Sequence, residues 1–198
     1  MKPALLAALM ISPFSSHAGW AQPPVAATAA GPTLGGPVIV GVCLLSRPAV
    51  FATAKVGVAA TQRLKQLADQ AQAEVDTERK PIDADAKTFQ AEQAKLSPEF
   101  RQNRAQALEQ RLRAVQQKTA LRGREIEATR EKAMARIISA MQPVVQQAYQ
   151  AKSCGLLVDR GSVLGGNMAN DLTPAVIQGL DARMATISFD REALATAQ

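Results

Sequence analysis

A long central stretch of the sequence places an apolar side chain at every third, fourth or seventh position. From about residue 56 to residue 96 these positions alternate with charged and Gln residues, a pattern that predicts a long amphipathic helix. Pro81 lies inside the run, and because proline removes a backbone donor, we expect it to kink or divide the helix. The apolar positions are Ala60, Leu64, Leu67, Ala71, Val75, Ile82, Ala86, Phe89 and Leu96.

A second helix is predicted to begin at Ser97-Pro98-Glu99. These residues supply an N-cap hydroxyl, a proline at the first helical position and an acid in the first turn. Residues 98–142 would extend for about 65 Å, with Pro143 breaking the pattern near its end. The sequence therefore predicts an antiparallel helical hairpin over residues 56–149. The second helix carries Phe100, Leu108, Leu112, Val115, Thr119, Ile126, Thr129, Ala133, Ile137, Met141 and Val144 at helical steps.

The apolar stripe of both helices is narrow and diluted by Ala, Gln and Thr. A helix inside a globular core shows a wider stripe of large side chains, so we expect a hairpin that projects into solvent. An ordinary antiparallel pair inside a bundle is the alternative, but it needs further helices to cover it. The rest of the chain offers one short candidate, from Thr173-Pro174 to about residue 185, with Val176, Ile177, Leu180 and Met184 on its buried face.

Short apolar segments at both ends of the hairpin predict a small β-rich body from residues 38–55 and 150–186. Residues 38–45, VIVGVCLL, are typical of a strand covered on both faces. Residues 154–159 and 162–165 predict a β-hairpin around Arg160-Gly161. Because so little chain buries little surface, we expect the body to associate with copies of itself. We predict that its core contains Val40, Val42, Leu156, Val158, Val163 and Ile177.

Cys43 and Cys154 are the two cysteines of the chain. If their strands pair antiparallel, Cys43, late in one strand, would lie near Cys154, early in the other. An oxidising compartment would then let a disulfide persist, and two separate small buried side chains are the alternative. Their spacing matches no zinc or redox motif.

The first 18 residues have the organisation of a secretory signal peptide. A short positive start precedes an apolar run over residues 4–14, and Ser16-His17-Ala18 fits a small-x-small cleavage site. A membrane anchor is the alternative, but the run is far shorter than the ~20 residues that a spanning helix needs. Residues 19–37 predict a flexible leader, and residues 187–198 a frayed C-terminal tail.

Composition argues against catalysis. Cleavage would remove His17, the only histidine, and with it histidine-based chemistry and the commonest metal ligand. A hydrolytic group could in principle be formed by Asp159, Ser162 and Lys152. No nucleophile elbow accompanies these residues, and Asp159 is typical of a turn. The sequence contains no phosphate-cradling Gly-Lys-Ser/Thr element. We therefore expect a protein that is not an enzyme and needs neither ATP, metal nor cofactor.

Five short motifs resemble the Skp/OmpH family of periplasmic chaperones. Residues 40–47 and 53–57 are similar to its opening strand and Lys-x-Gly helix start, and residues 156–164 and 171–177 to its closing strands and final helix. Leu96-Ser97 fits the hairpin tip, so the resemblance covers roughly residues 38–184.

The resemblance implies an α+β fold, with a small β body and a long projecting hairpin, assembled as a jellyfish-like homotrimer. It implies an ATP-independent holdase in the periplasm that encloses unfolded outer-membrane proteins between its arms. Leu44 and Cys154 depart from the acidic and aromatic residues that are usual in the family, which bears on the local packing of the body.

The distal arm carries a basic run and an apolar tip. Clients could be steered by the cations, or the run could be an ordinary solvated helix face. The tip side chains Phe89, Leu96 and Phe100 could contact unfolded segments or could pack the two helices together. The basic residues are Arg101, Arg104, Arg111, Arg113, Lys118, Arg122 and Arg124, against Glu99 and Glu109, so few pairs are expected within this stretch.

Three other functions share some of these features. A periplasmic structural adaptor would use similar coiled arms, but should add a lipoyl-like or barrel domain. Binding of anionic lipid or lipopolysaccharide suits the basic arm and the net charge of +6. Nucleic-acid binding is disfavoured by export and by the lack of interleaved aromatics for base stacking.

Overall fold

The computed structural model describes residues 34–195. The predicted signal peptide and residues 19–33 of the predicted leader lie outside the described residues. In chain order the elements are β1 (Val42–Leu45), α1 (Arg47–Thr53), α2 (Lys55–Glu92), α3 (Pro98–Ala151), β2 (Leu156–Asp159) and α4 (Thr173–Arg183), with 3-10 turns at Gln93–Lys95 and Arg160–Ser162.

Helices α2 and α3 form the predicted hairpin. With 38 and 54 residues, they extend for about 57 Å and about 81 Å. Ser97 caps α3 as predicted: its Oγ accepts a hydrogen bond from Phe100 N at 3.3 Å, with Pro98 and Glu99 in the first turn. The α+β fold class, a small sheet with long helices, is therefore confirmed.

Neither internal proline divides its helix. Helix α2 passes through Pro81, and α3 passes through Pro143 and continues to Ala151. Both prolines lie on the exposed face, as do Thr77 and Ser139 four residues before them. Their carbonyls, which lose the usual helical partner, face water instead, so the two helices tolerate the missing donors.

The sheet corrects the predicted strand pairing. Strands β1 and β2 are parallel, in the register Val42 to Leu156 and Leu45 to Asp159, because the hairpin is a crossover long enough to return the chain in the same direction. The predicted strand at 162–165 does not form. Its first residue, Ser162, instead belongs to the 3-10 turn Arg160–Ser162, in which Gly161 N donates to Asp159 Oδ1 at 2.8 Å. The other edge of β1 instead pairs with residues 170–172 through Leu44.

The single chain buries the predicted body core only in part. Val40 is 93% exposed and Leu156 55% exposed, while Val42, Val158 and Val163 are partly buried and Ile177 packs against the core that forms. That core lies on the helical side of the sheet and includes the roots of both arm helices. The core consists of Cys43, Leu45, Val50, Ala54, Val56, Ala60, Ile137, Met141, Val144, Leu172, Val176 and Leu180.

A disulfide joins Cys43 to Cys154 across the body, with a Cα separation of 5.8 Å. Cys154 reaches Cys43 from the turn before β2, in a parallel sheet, so the antiparallel geometry behind the predicted contact is incorrect. Cys43 is fully buried. The bridge ties the strand before the hairpin to the chain that leaves it.

Close backbone contacts attach the arm to the body. A Cβ at Gly57 would lie 1.9 Å from the carbonyl oxygen of Phe51, so α1 and the start of α2 approach within a distance that glycine alone allows. The N-terminus of α2 has no capping side chain of its own, and Lys55 N donates instead to Asp181 Oδ1 of α4 at 2.7 Å.

The C-terminal segment corrects the expectation of a frayed tail. Residues 187–195, named here the strap, lie along both arm helices and are held by hydrogen bonds and ion pairs from each. Ile187 and Phe189 pack against the body core. Within residues 34–195, no helix combines the length and the apolar character needed to cross a membrane.

Candidate functional site

The distal half of the arm is held by a thin apolar seam. Four buried side chains from the two helices form it, with Ala86 and Phe89 packed alongside. Phe89 therefore serves helix packing. The seam contains Val75 and Ile82 from α2 and Leu108 and Val115 from α3. So small a cluster leaves most of the distal surface exposed to solvent.

Four of the seven predicted client-binding cations are paired with acids. Arg111 binds Asp85 and Lys118 binds Glu78, both across the seam, while Arg113 binds Glu109 one turn away on α3. Arg122 Nε lies 2.9 Å from Glu74 of α2. Few pairs form within the stretch itself, as expected, but acids of α2 pair with three of its cations, so less charge is available to partners than α3 alone suggests.

The cross-seam pairs follow from the position of the turn. Asp85 and Arg111 lie equally far from Pro98 in sequence, as do Glu78 and Lys118. In an antiparallel hairpin such residues come level with each other, so the predicted tip already contained the signal that identifies these partners.

Three of the predicted cations remain without an ion pair to any carboxylate of the described residues. Arg101 and Arg104 lie in the first turns of α3 beside the tip, and Arg124 lies exposed further down. Lys87 and Lys95 of the α2 side are equally without an ion partner in residues 34–195. The end of the arm, which also carries the exposed Glu92 and Glu99, therefore has a net positive charge.

The tip also presents apolar surface. Phe100 is 57% exposed, whereas Leu96 is half-buried against the turn. Leu112 borders a shallow groove over the seam that is lined by Val75, Val115 and Thr119. An exposed aromatic ring among unpaired cations suits transient contact with unfolded, partly acidic or amphipathic chains.

A buried polar network separates this distal arm from the body. Glu125 of α3, only 3% exposed, accepts from Arg122 Nη1 at 2.7 Å, and its carboxylate lies 3.2 Å from Arg191 Nε of the strap. Arg191 also donates to Glu74 of α2 at 3.1 Å. The sequence reasoning missed Glu125, although the four-residue spacing of Ile137, Ala133 and Thr129 leads back to it.

The network shifts two pKa values. Burial opposes ionisation of Glu74, but hydrogen bonds and charges from Arg191 and Arg122 outweigh it and hold the pKa of Glu74 below its ordinary value. The hydrogen bond to Glu125 raises the pKa of Arg122 against the effect of burial, and the charges of Glu125 and Glu74 add to it. Glu74 and Arg122 are therefore both charged near neutral pH.

Known proteins resemble this chain in both sequence and fold. The family model described as outer membrane protein (OmpH-like) matches residues 41–180. A crystal structure from Caulobacter crescentus, described as a candidate outer membrane chaperone (OmpH-like), is 39% identical, with a TM-score of 0.72 over 80% of this chain and 94% of that one. No curated protein shows significant similarity to the chain. The match over most of the chain, from β1 into α4, shows that the protein belongs to the OmpH-like family, the Skp/OmpH family that its motifs resemble.

Proposed function

We propose that the protein is an ATP-independent holdase chaperone of the periplasm that binds unfolded outer-membrane proteins between the helical arms of a homotrimer. The observation that carries the proposal is the projecting α2–α3 hairpin, whose distal half combines a thin seam with unpaired cations and the exposed Phe100. The similar Caulobacter structure, described as a candidate outer membrane chaperone, supports the same function.

The surface chemistry suits binding without an energy source. Many weak contacts let a client adapt and dissociate, whereas a deep pocket would retain one sequence. The distal arm has a shallow groove and exposed charged side chains, and holding a client requires no catalytic step. The predicted signal peptide and the Cys43–Cys154 disulfide are both consistent with an oxidising extracytoplasmic compartment.

Association with copies of the chain is supported by the open side of the body. Val40, Leu156, Leu164 and Ile39 are all more than half exposed there, around a sheet of only two strands. Several exposed large apolar side chains in one small body favour an interface with another chain. We infer that the predicted core residues Val40 and Leu156 become buried between chains.

The first experiment measures the mass of the protein in solution together with its effect on a urea-unfolded outer-membrane barrel protein that is diluted from denaturant. A trimer that keeps the barrel protein soluble supports the proposal. A monomer or dimer without this activity refutes it and leaves a structural adaptor as the better account.

Matched variants test the role of the tip. R101A/R104A removes two unpaired cations, and R111A/R113A removes two that already bind acids. We expect the first pair to weaken client binding by about fivefold or more and the second to have a smaller effect, since paired charges are partly neutralised. Equal effects of the two double variants would show that only net charge matters.

Binding of anionic lipid or lipopolysaccharide is a second candidate, favoured by the exposed Phe100 beside Arg101 and Arg104. Vesicles with and without anionic lipid, compared at low and raised salt, test it. Purely electrostatic binding declines as salt is added, whereas apolar contact with an unfolded client persists.

A further inference from the structure

The strap contacts the arm at three levels, and at the first and third of these it contacts both helices. Nearest the body, Arg63 of α2 donates to Phe189 O at 3.0 Å and Arg136 of α3 donates to Ser188 O at 2.9 Å. Both arginines bind the backbone of the strap. At this level each helix is therefore tied to the same short segment of extended chain.

The second level lies one to two turns further along α3. Lys132 Nζ contacts the carboxylate of Glu192 at 2.9 Å, and Glu192 N donates to Thr129 Oγ at 2.9 Å. Thr129 is buried, and its hydroxyl in turn donates to Glu125 O at 2.6 Å. The strap is thus joined to a buried side chain of α3 as well as to the surface of that helix.

The third level is the buried network. The guanidinium of Arg191 contacts Glu74 of α2 at 3.1 Å and Glu125 of α3 at 3.2 Å, and Leu194 N donates to Glu125 at 3.4 Å. One side chain therefore binds both helices. The planar fork of arginine suits this double contact, and a lysine in its place would supply a single charged point.

Beyond Glu74 and Glu125 the support changes abruptly. The distal arm has the thin apolar seam and ion pairs that are largely exposed, each of which stabilises little. Between Arg63 and Glu74, by contrast, the strap adds a third element to the helix pair. We propose that the strap is a brace that keeps the root of the arm rigid and makes the arm flex only beyond Glu74 and Glu125.

The position of the bend decides how far the tip moves. With the strap docked, the arm flexes from about residue 75 and leaves about 33 Å to the tip, whereas flexing from about residue 60 would leave about 55 Å. The same angle would then move the tip about 1.7 times as far. The strap thus limits how far the tip moves, and this inference depends neither on client binding nor on assembly of the chain.

Amide hydrogen exchange on the unmodified protein gives the first test. The Glu192 amide, bonded to Thr129, should exchange at least about tenfold more slowly than in an unstructured peptide. Exchange at the peptide rate would show that the strap is undocked in solution and would overturn the proposal.

Variants then locate the effect. R191A should raise exchange about tenfold in residues 63–74 and 125–136 and leave β1 and α4 unchanged, with R191K in between. R130A is the matched control, because it removes an exposed arginine that binds only Glu127 on its own helix. The brace is refuted if R191A behaves like R130A, or if it raises exchange equally throughout the chain.

Discussion

The disulfide between Cys43 and Cys154 closes a loop that contains the whole arm. The two cysteines are 111 residues apart in sequence, and all of α2 and α3 lies between them. A crosslink of this span restricts the unfolded chain, and the chain-entropy relation gives about 4–5 kcal/mol for a loop of this length. Removing the bridge should therefore lower the free energy of unfolding by about as much as a large core truncation.

Two corrections act on this estimate in opposite directions. Cys43 is fully buried, so C43A leaves a small cavity that adds about 1 kcal/mol to the loss. Residual helix in the unfolded arm would shorten the effective loop and reduce the entropic part. We expect a net loss of about 3–5 kcal/mol for C43A/C154A.

Denaturant titration of oxidised wild type, reduced wild type and C43A/C154A measures the effect. All three are compared at one protein concentration, because association stabilises the folded chain by mass action. Reduced wild type retains both sulfur atoms, so its difference from the double variant isolates the cavity contribution. A loss below about 1 kcal/mol on reduction would refute the loop-closure argument.

Two further predictions concern the arm root. G57A should destabilise the protein by about 1–3 kcal/mol in thermal unfolding, since its Cβ would lie 1.9 Å from a carbonyl oxygen of α1. The control G123A, in the open middle of α3, should stabilise by up to about 1 kcal/mol, and equal effects of the two changes would contradict the contact. The second prediction concerns pH: the pKa of Glu74 is depressed from an ordinary value of about 4.5 by Arg191 and Arg122, against burial. Its contribution is therefore complete above about pH 4.5 and is lost as the pH falls through the folded pKa, so the stability difference between wild type and E74Q should shrink there. A difference that does not change with pH would refute this assignment.

The hairpin and its tip could be predicted because their signals are local. Ser97-Pro98-Glu99 specifies a helix start within one turn, and the apolar spacing extends over many turns in both helices. The effect of Pro81 was harder to predict. A proline on the exposed face of a long helix lets water solvate the carbonyl four residues before it, so the helix can continue. Whether a proline divides a helix therefore depends on its burial, which the sequence does not give.

Strand pairing was less predictable for a different reason. Strands of four residues contain no signal for direction, and direction depends on how the crossover returns the chain. The predicted strand at 162–165 does not form, and residues 170–172 pair with the other edge of β1 through contacts that depend on Asn170 and Leu172. Burial of the predicted core residues was equally hard to predict, because the exposure of Val40 and Leu156 depends on which faces the single chain covers.

The C-terminal strap shows the limit of reasoning from periodicity. Residues 187–195 follow no helical or strand period, so their charges resemble those of a solvated tail. The partners of these charges become evident only when Glu125 is known to be buried, because a buried carboxylate requires cationic partners. Helix α3 supplies one such partner, Arg122, and the strap supplies the other, Arg191. A polar residue at an apolar position of a helix stripe therefore predicts a partner from elsewhere in the chain.

The arrangement of stabilising groups along the arm separates stability from binding. The core, the disulfide and the strap all lie at or below the level of Glu74 and Glu125, and the unpaired Arg101 and Arg104 lie with Phe100 at the far end. The distal seam between them is small, so substitutions at the tip change few buried contacts. It follows that R101A/R104A should change client binding at nearly constant stability, whereas changes at the root should alter stability first and client binding only through the geometry of the arm.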